Sequence, residues 1–181
     1  MIFVTRQSPA VLDTLEQTGT YTVKKEYVTD KYTTITYHYE PLYRMLTSMA
    51  RHYIDIPDEL LYPVWLSPEN TDAIPPSEDS VFLRLDIPEG KYILANDECW
   101  DHMINHVYFP LDKSDEAAHE AELARYGISS PSALISGNAG NFYPLLKQKV
   151  LKSWERVFTV KPQDPSRVVG LCWELKREWL I

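Results

Sequence analysis

Glu174 stands out among the carboxylates. It stands near the end of the run Val168–Leu175, and a two-residue period along that run sets Val168, Gly170, Cys172 and Glu174 on one face and Val169, Leu171, Trp173 and Leu175 on the other. A glutamate at the end of an otherwise apolar strand either emerges into solvent or enters a cleft, where burial or a nearby cation tunes it for a functional role. At the other end of the chain, Thr5, Arg6 and Gln7 follow a short apolar segment and precede a helix start. Strand-to-helix junctions are frequent ligand positions, and a polar turn is the plain alternative.

Other groupings are weaker. Glu98, His102 and His106 recur every fourth residue, the spacing with which one helix face offers ligands to a divalent metal. An exposed helix face would place polar groups there as well, and no second element with ligands is apparent, so no metal site is assigned. Ser136–Asn141 precedes a helix start at Pro144, where free backbone N–H groups could hold an anion, yet it matches neither phosphate-loop glycine pattern. No nucleophile–histidine–acid set can be assembled from local spacing, and Gly-x-Ser-x-Gly is absent. Seven of the twelve tyrosines fall at 21, 27, 32, 37, 39, 43 and 53. Rings with polar tips suit planar ligands and interfaces, and they are also ordinary strand and core-edge residues.

The composition limits what these groups can do. The net charge of −8 is uneven: residues 1–54 carry six basic and five acidic side chains, 55–122 three and seventeen, and 123–181 nine and four. So acidic a middle repels phosphates, which argues against general nucleic-acid binding and moves any anion site to the terminal segments. Cys99 and Cys172, the two cysteines, read as reduced, buried thiols of a cytoplasmic protein. Met1–Arg6 lacks the basic region of a secretory leader, and no apolar run is long enough to span a bilayer. At 181 residues the chain suits one compact domain over 1–181.

The elements that must position these residues follow from periodicity. Met1–Thr5 reads as a strand, and Ser8-Pro9 starts a helix that Gly19 stops. Over Tyr21–Tyr39, strand and irregular structure compete. Pro41–Tyr53 is the clearest helix, with Leu42, Met45, Leu46, Met49 and Ala50 on one stripe. Tyr62–Ser67 is a strand, Pro68–Ser80 a loop, and Val81–Ile87 with Tyr92–Ala95 a hairpin turned at Pro88–Lys91. Helices follow from Asn96 or Asp97 to Tyr108, over Ser114–Tyr126 and over Pro144–Phe158, with a loop over Ile128–Asn141 and a last strand over Arg167–Leu175. The class is α+β, with a mixed or antiparallel sheet and about five helices.

Read in order, these pieces resemble a bacterial protein family designated domain of unknown function 3841. The resemblance runs from Val4-Thr5-Arg6-Gln7 through Tyr43–Arg51, Tyr62-Pro63-Val64-Trp65, Leu83–Asp86, Trp100 and Ile104-Asn105 to Lys152–Phe158 and Cys172-Trp173-Glu174-Leu175. It supplies no mechanism. A second likeness, to the ADP-ribosyltransferase fold, rests on the opening strand, the helix closing on glycine and the late glutamate. It implies NAD as cofactor, held by Arg6 or by Thr5 and Gln7, a stacking role for Tyr43 or another tyrosine of the cluster, and a catalytic one for Glu174. Two features depart from that pattern: no serine-threonine-serine strand is present, and Cys172 stands two residues before Glu174. The competing expectation is a non-catalytic regulatory or inhibitory protein that meets a protein partner through a tyrosine-rich, acidic surface.

Overall fold

The computed structural model describes residues 1–69 and 79–181, so the stretch 70–78 of the expected loop lies outside the described residues. The chain is α+β: seven α-helices, a five-stranded antiparallel sheet and a two-stranded sheet among the described residues. Contacts divide it into two compact units, Met1–Ala95 with Gln163–Ile181, and Asn96–Pro162.

In the first unit, Phe3 and Thr5 are buried while their neighbours are not, and this alternation builds β1 (Ile2–Gln7). The strand runs two residues further than expected because its ladder with β4 (Val81–Asp86) continues to Gln7↔Val81. Arg6 and Gln7 are therefore strand residues, not a turn. Ser8 keeps extended backbone and makes no capping bond, and Pro9, with φ preset for a helix, starts α1 (Pro9–Thr18). Gly19 ends it at φ 80°, its N–H bonded to the Leu15 carbonyl.

The segment Tyr21–Tyr39 is mostly helical, contrary to the strand-or-irregular expectation. β2 (Thr20–Tyr21) leads into α2 (Lys25–Tyr32), a 3₁₀ turn (Thr33–Ile35) and α3 (Thr36–Ala50). α2 buries only Val28, so it lacks the apolar stripe by which a helix is recognised in a sequence. α3 begins five residues before Pro41. The proline removes the N–H that would bond the Tyr37 carbonyl, and Tyr37 is 77% exposed, where water can replace that bond.

β3 (Val64–Pro68), β5 (Ile93–Asn96) and β6 (Val168–Cys172) complete the sheet, in the order β4-β1-β3-β6-β5. The expected β4–β5 hairpin does not form. Gly90 does turn the chain, at φ 80° and with the Lys91 N–H on the Pro88 carbonyl, but β4 pairs with β1 and β5 lies at the opposite edge beside β6. A turn flanked by two alternating segments identifies the strands without specifying their partners. The last strand also breaks: β6 ends at Cys172, and β7 (Leu175–Lys176) pairs with β2 in the smaller sheet. Glu174 stands in the bend between strands of two sheets.

One sheet face packs Phe3, Leu66, Leu83, Leu85 and Cys172 against Val11 and Leu15 of α1. Gly170 is required by close approach there, since a Cβ would stand 2.5 Å from the Phe3 ring. Past the end of β6, Trp173 donates its indole N–H to the buried Thr47 hydroxyl of α3 at 3.0 Å.

The second unit holds α4 (Asp97–Ile104), α5 (Lys113–Arg125), α6 (Ala139–Phe142) and α7 (Pro144–Ser153). Asn96 caps α4 by accepting from the Glu98 and Cys99 N–H groups, and Asp112 caps α5 in the same way. The expected Ile128–Asn141 loop instead contains a 3₁₀ turn (Pro131–Leu134) and α6. Gly140 packs so closely on the Leu134 carbonyl that no Cβ fits, and the Ser136 and Asn141 N–H groups of this stretch donate to the Ser132 and Asn138 carbonyls. α4 ends at Ile104, so His106, at φ 58°, leaves the stripe of Glu98 and His102 and stacks on Trp154. Among the described residues no group of three or more His, Cys, Asp or Glu side chains is placed to hold a metal ion. Asp115 is the polar centre of this unit. It accepts from the Leu111 N–H, the Tyr108 hydroxyl and Arg156, which hold its carboxyl below the usual carboxylate range.

Both cysteines are buried free thiols, and burial pushes Cys99 up to about 12 and Cys172 up to about 11. Among the described residues no helix is long and apolar enough to cross a membrane.

Candidate functional site

The site begins where two strands part. β1 pairs with β4 along its whole length, but its register with β3 is Phe3↔Pro68 and Val4↔Ser67, ending there. Beyond Val4 a side chain takes over from the ladder: the Thr5 hydroxyl, 2% exposed, donates to the Trp65 carbonyl at 2.9 Å. Gln7, two residues on and hence on the same face as Thr5, donates its amide N–H to the Thr5 oxygen at 2.8 Å.

A cavity of about 350 Å³ opens beside this divergence. Thr5, Arg6 and Gln7 line it from β1, and Trp65 and Ser67 from β3. α2 contributes Tyr27, Val28, Lys31 and Tyr32, which fall one helical turn apart in two pairs and so share a face. The Thr33 backbone lies in the left-handed region at φ 43°, where a β-branched residue is strained, and this kink joins α2 to α3. α3 supplies Tyr43, and Tyr21 and Tyr62 complete the aromatic wall.

The rings brace one another. Tyr32 stacks on Tyr39 with centroids 3.9 Å apart, Tyr43 meets Tyr62 edge to face at 5.7 Å, and Tyr21 stacks on Tyr27 at 6.5 Å. The Tyr32 and Tyr43 hydroxyls lie 3.2 Å apart, and the Trp65 indole also hydrogen-bonds Tyr43. Burial, and then proximity to Tyr32, push the Tyr43 hydroxyl far above its ordinary value, so it stays neutral. Two cations belong to the lining: Arg6, exposed on β1, and Lys31, whose ammonium lies 5.4 Å from the Tyr32 ring centroid. The arrangement offers flat aromatic surface, an amide and positive charge, which together suit a planar anion.

Four of the five sequence-derived site residues thus meet in one cavity: Thr5, Arg6, Gln7 and Tyr43. Glu174 does not join them. It lines a smaller hollow of about 100 Å³ with Asp55, Lys91, Trp173 and Trp179, its carboxylate 3.9 Å from the Lys176 ammonium. The reason is the break after Cys172, which turns the chain toward the two-stranded sheet before the carboxylate is reached. Sequence reasoning missed Lys31, Tyr62 and Trp65 as site residues. The density of tyrosines over 21–43 was the available signal, and four of the seven clustered tyrosines (21, 27, 32 and 43) line the cavity, while Tyr37 and Tyr53 are exposed elsewhere.

Fold and site together define an α+β protein with a tyrosine-walled cavity beside diverging strands. The chain belongs to the family described as Domain of unknown function (DUF3841), which matches it over residues 2–181. No curated protein and no solved structure matches it, and the ADP-ribosyltransferase likeness gains no support from these comparisons.

Proposed function

We propose that the first unit binds a small aromatic anion of the nucleotide class in the cavity between β1, β3 and α2. The observation that carries this reading is the convergence of five tyrosines and Trp65 with Arg6 and Lys31 on one cavity of about 350 Å³. Stacked rings take the planar group, and the two cations of the lining supply positive charge for a phosphate. The volume lies at the low end of the roughly 300–1,000 Å³ typical of small-molecule sites, which favours a mononucleotide, or one half of a dinucleotide such as NAD. Because Glu174 lies in the other hollow, the reading is one of binding, with no group transfer assigned.

Isothermal titration calorimetry with adenosine 5′-monophosphate, adenosine and phenyl phosphate tests it. The nucleotide is expected to bind most tightly, with Arg6→Gln and Lys31→Gln each weakening it several-fold and adenosine least affected. Failure of both the nucleotide and phenyl phosphate to bind at millimolar concentration would overturn the proposal.

A further inference from the structure

We infer that Gln7 selects a ligand whose planar ring carries an N–H donor, such as an aminopurine, over one presenting a carbonyl at the same position. The inference rests on the cavity being a nucleotide-class site and adds the polarity it reads. Its origin is a hydrogen-bond chain with a single possible direction. The Trp65 carbonyl can only accept, so the one proton of the Thr5 hydroxyl is committed to it across 2.9 Å. The Thr5 oxygen is then left to accept from Gln7, and the atom of the Gln7 amide that meets it at 2.8 Å must be the nitrogen. Turning the amide over would set Gln7 Oε1 against the Thr5 oxygen with no proton between them. Thr5 is 2% exposed, so water cannot relieve that clash.

The amide is thereby held in one orientation by the scaffold before any ligand arrives. Its Nε2 is turned to Thr5, and among the described residues Oε1 has no hydrogen-bond partner in the protein. Gln7 also lines the cavity, so the atom left to the ligand is an acceptor, with the second N–H of the amide beside it. An exocyclic amine on a heteroaromatic ring satisfies Oε1, and a ring nitrogen next to the amine can take the remaining N–H, the pairing by which an amide side chain reads adenine. An exocyclic carbonyl in place of the amine would face Oε1 acceptor to acceptor. Unlike the stacking tyrosines, which take any flat ring, Gln7 discriminates by proton position.

Adenosine and inosine 5′-monophosphates differ at this position by an amine against a carbonyl and provide the probes. Calorimetry with the full chain is expected to show the adenine nucleotide binding about tenfold more tightly. Gln7→Leu should bring the two affinities within about twofold of each other. Thr5→Val frees the amide to turn over and should also reduce the ratio, with circular dichroism confirming that both variants fold. Equal binding of the two nucleotides by the wild type, or an undiminished ratio in Gln7→Leu, would overturn the role of Gln7 while leaving the cavity reading intact. Binding of neither nucleotide would overturn both.

Discussion

Thr5→Val probes the point at which the sheet opens, and its cost can be worked from the geometry. Valine has nearly the shape of threonine, so the packing around a residue 2% exposed is kept and the loss falls on two hydrogen bonds. The Trp65 carbonyl loses this donor at the place where β1 no longer supplies a ladder partner, and because the bond is part-buried its loss falls in the lower part of the roughly 1–3 kcal/mol range for fully buried groups. Gln7 is only half-buried, so its amide can turn to water and adds little. A net destabilisation of about 1–2 kcal/mol follows, which for a chain of this length lowers Tm by roughly 2–8 °C. Urea denaturation followed by tryptophan fluorescence checks the free energy, and differential scanning calorimetry the midpoint. If Thr5→Val unfolds within about 0.3 kcal/mol of the wild type, the Thr5 bridge contributes nothing to closing the β1–β3 split and the reasoning fails.

Two further outcomes concern packing and pH. Gly170→Ala should cost about 1–2 kcal/mol, because the new Cβ would stand 2.5 Å from the wholly buried Phe3 ring; Phe3→Leu should make the alanine cheaper, and strict additivity in that double-mutant cycle would refute the contact. His119 of α5 is buried against the Tyr108 ring with both ring nitrogens unpartnered, and burial, then Lys149, lower its pKa while Glu122 and Asp115 oppose the shift. The neutral form is thus favoured in the fold, so its contribution is fully present above the unfolded value of about 6.5 and is lost as pH falls through the lower folded value. His119→Phe should abolish that part of the acid sensitivity and gain about 1 kcal/mol at neutral pH; denaturation curves at pH 7.5 and 5.5 that shift equally in both proteins would contradict this.

Much of the chain was legible before its structure. The α1 stop at Gly19, a cap at Asn96 or Asp97 (Asn96 in the fold), the strand within Val81–Ile87 and the helix starting at Pro144, which turns 3₁₀ after Ser153, are local patterns, and each is present. What failed shares one cause. α2 carries almost no apolar stripe, the β4–β5 turn does not reveal that each strand pairs elsewhere, and nothing within Val168–Leu175 marks the break at Cys172. Each is settled by partners distant in the chain.

The site divides along the same line. The types and spacing of its residues determined that Thr5, Arg6 and Gln7 went with an opening strand, that tyrosines crowded residues 21–53 and that a carboxylate followed a late apolar run. Only the tertiary structure decided that Thr5, Arg6, Gln7 and Tyr43 share a cavity and that Glu174 does not. Period and propensity act over a few residues, whereas a cavity arises where strands cease to pair. Here β4 holds one edge of β1 as far as Gln7 while β3, on the other edge, stops at Val4, and one threonine hydroxyl bridges the gap that β3 leaves.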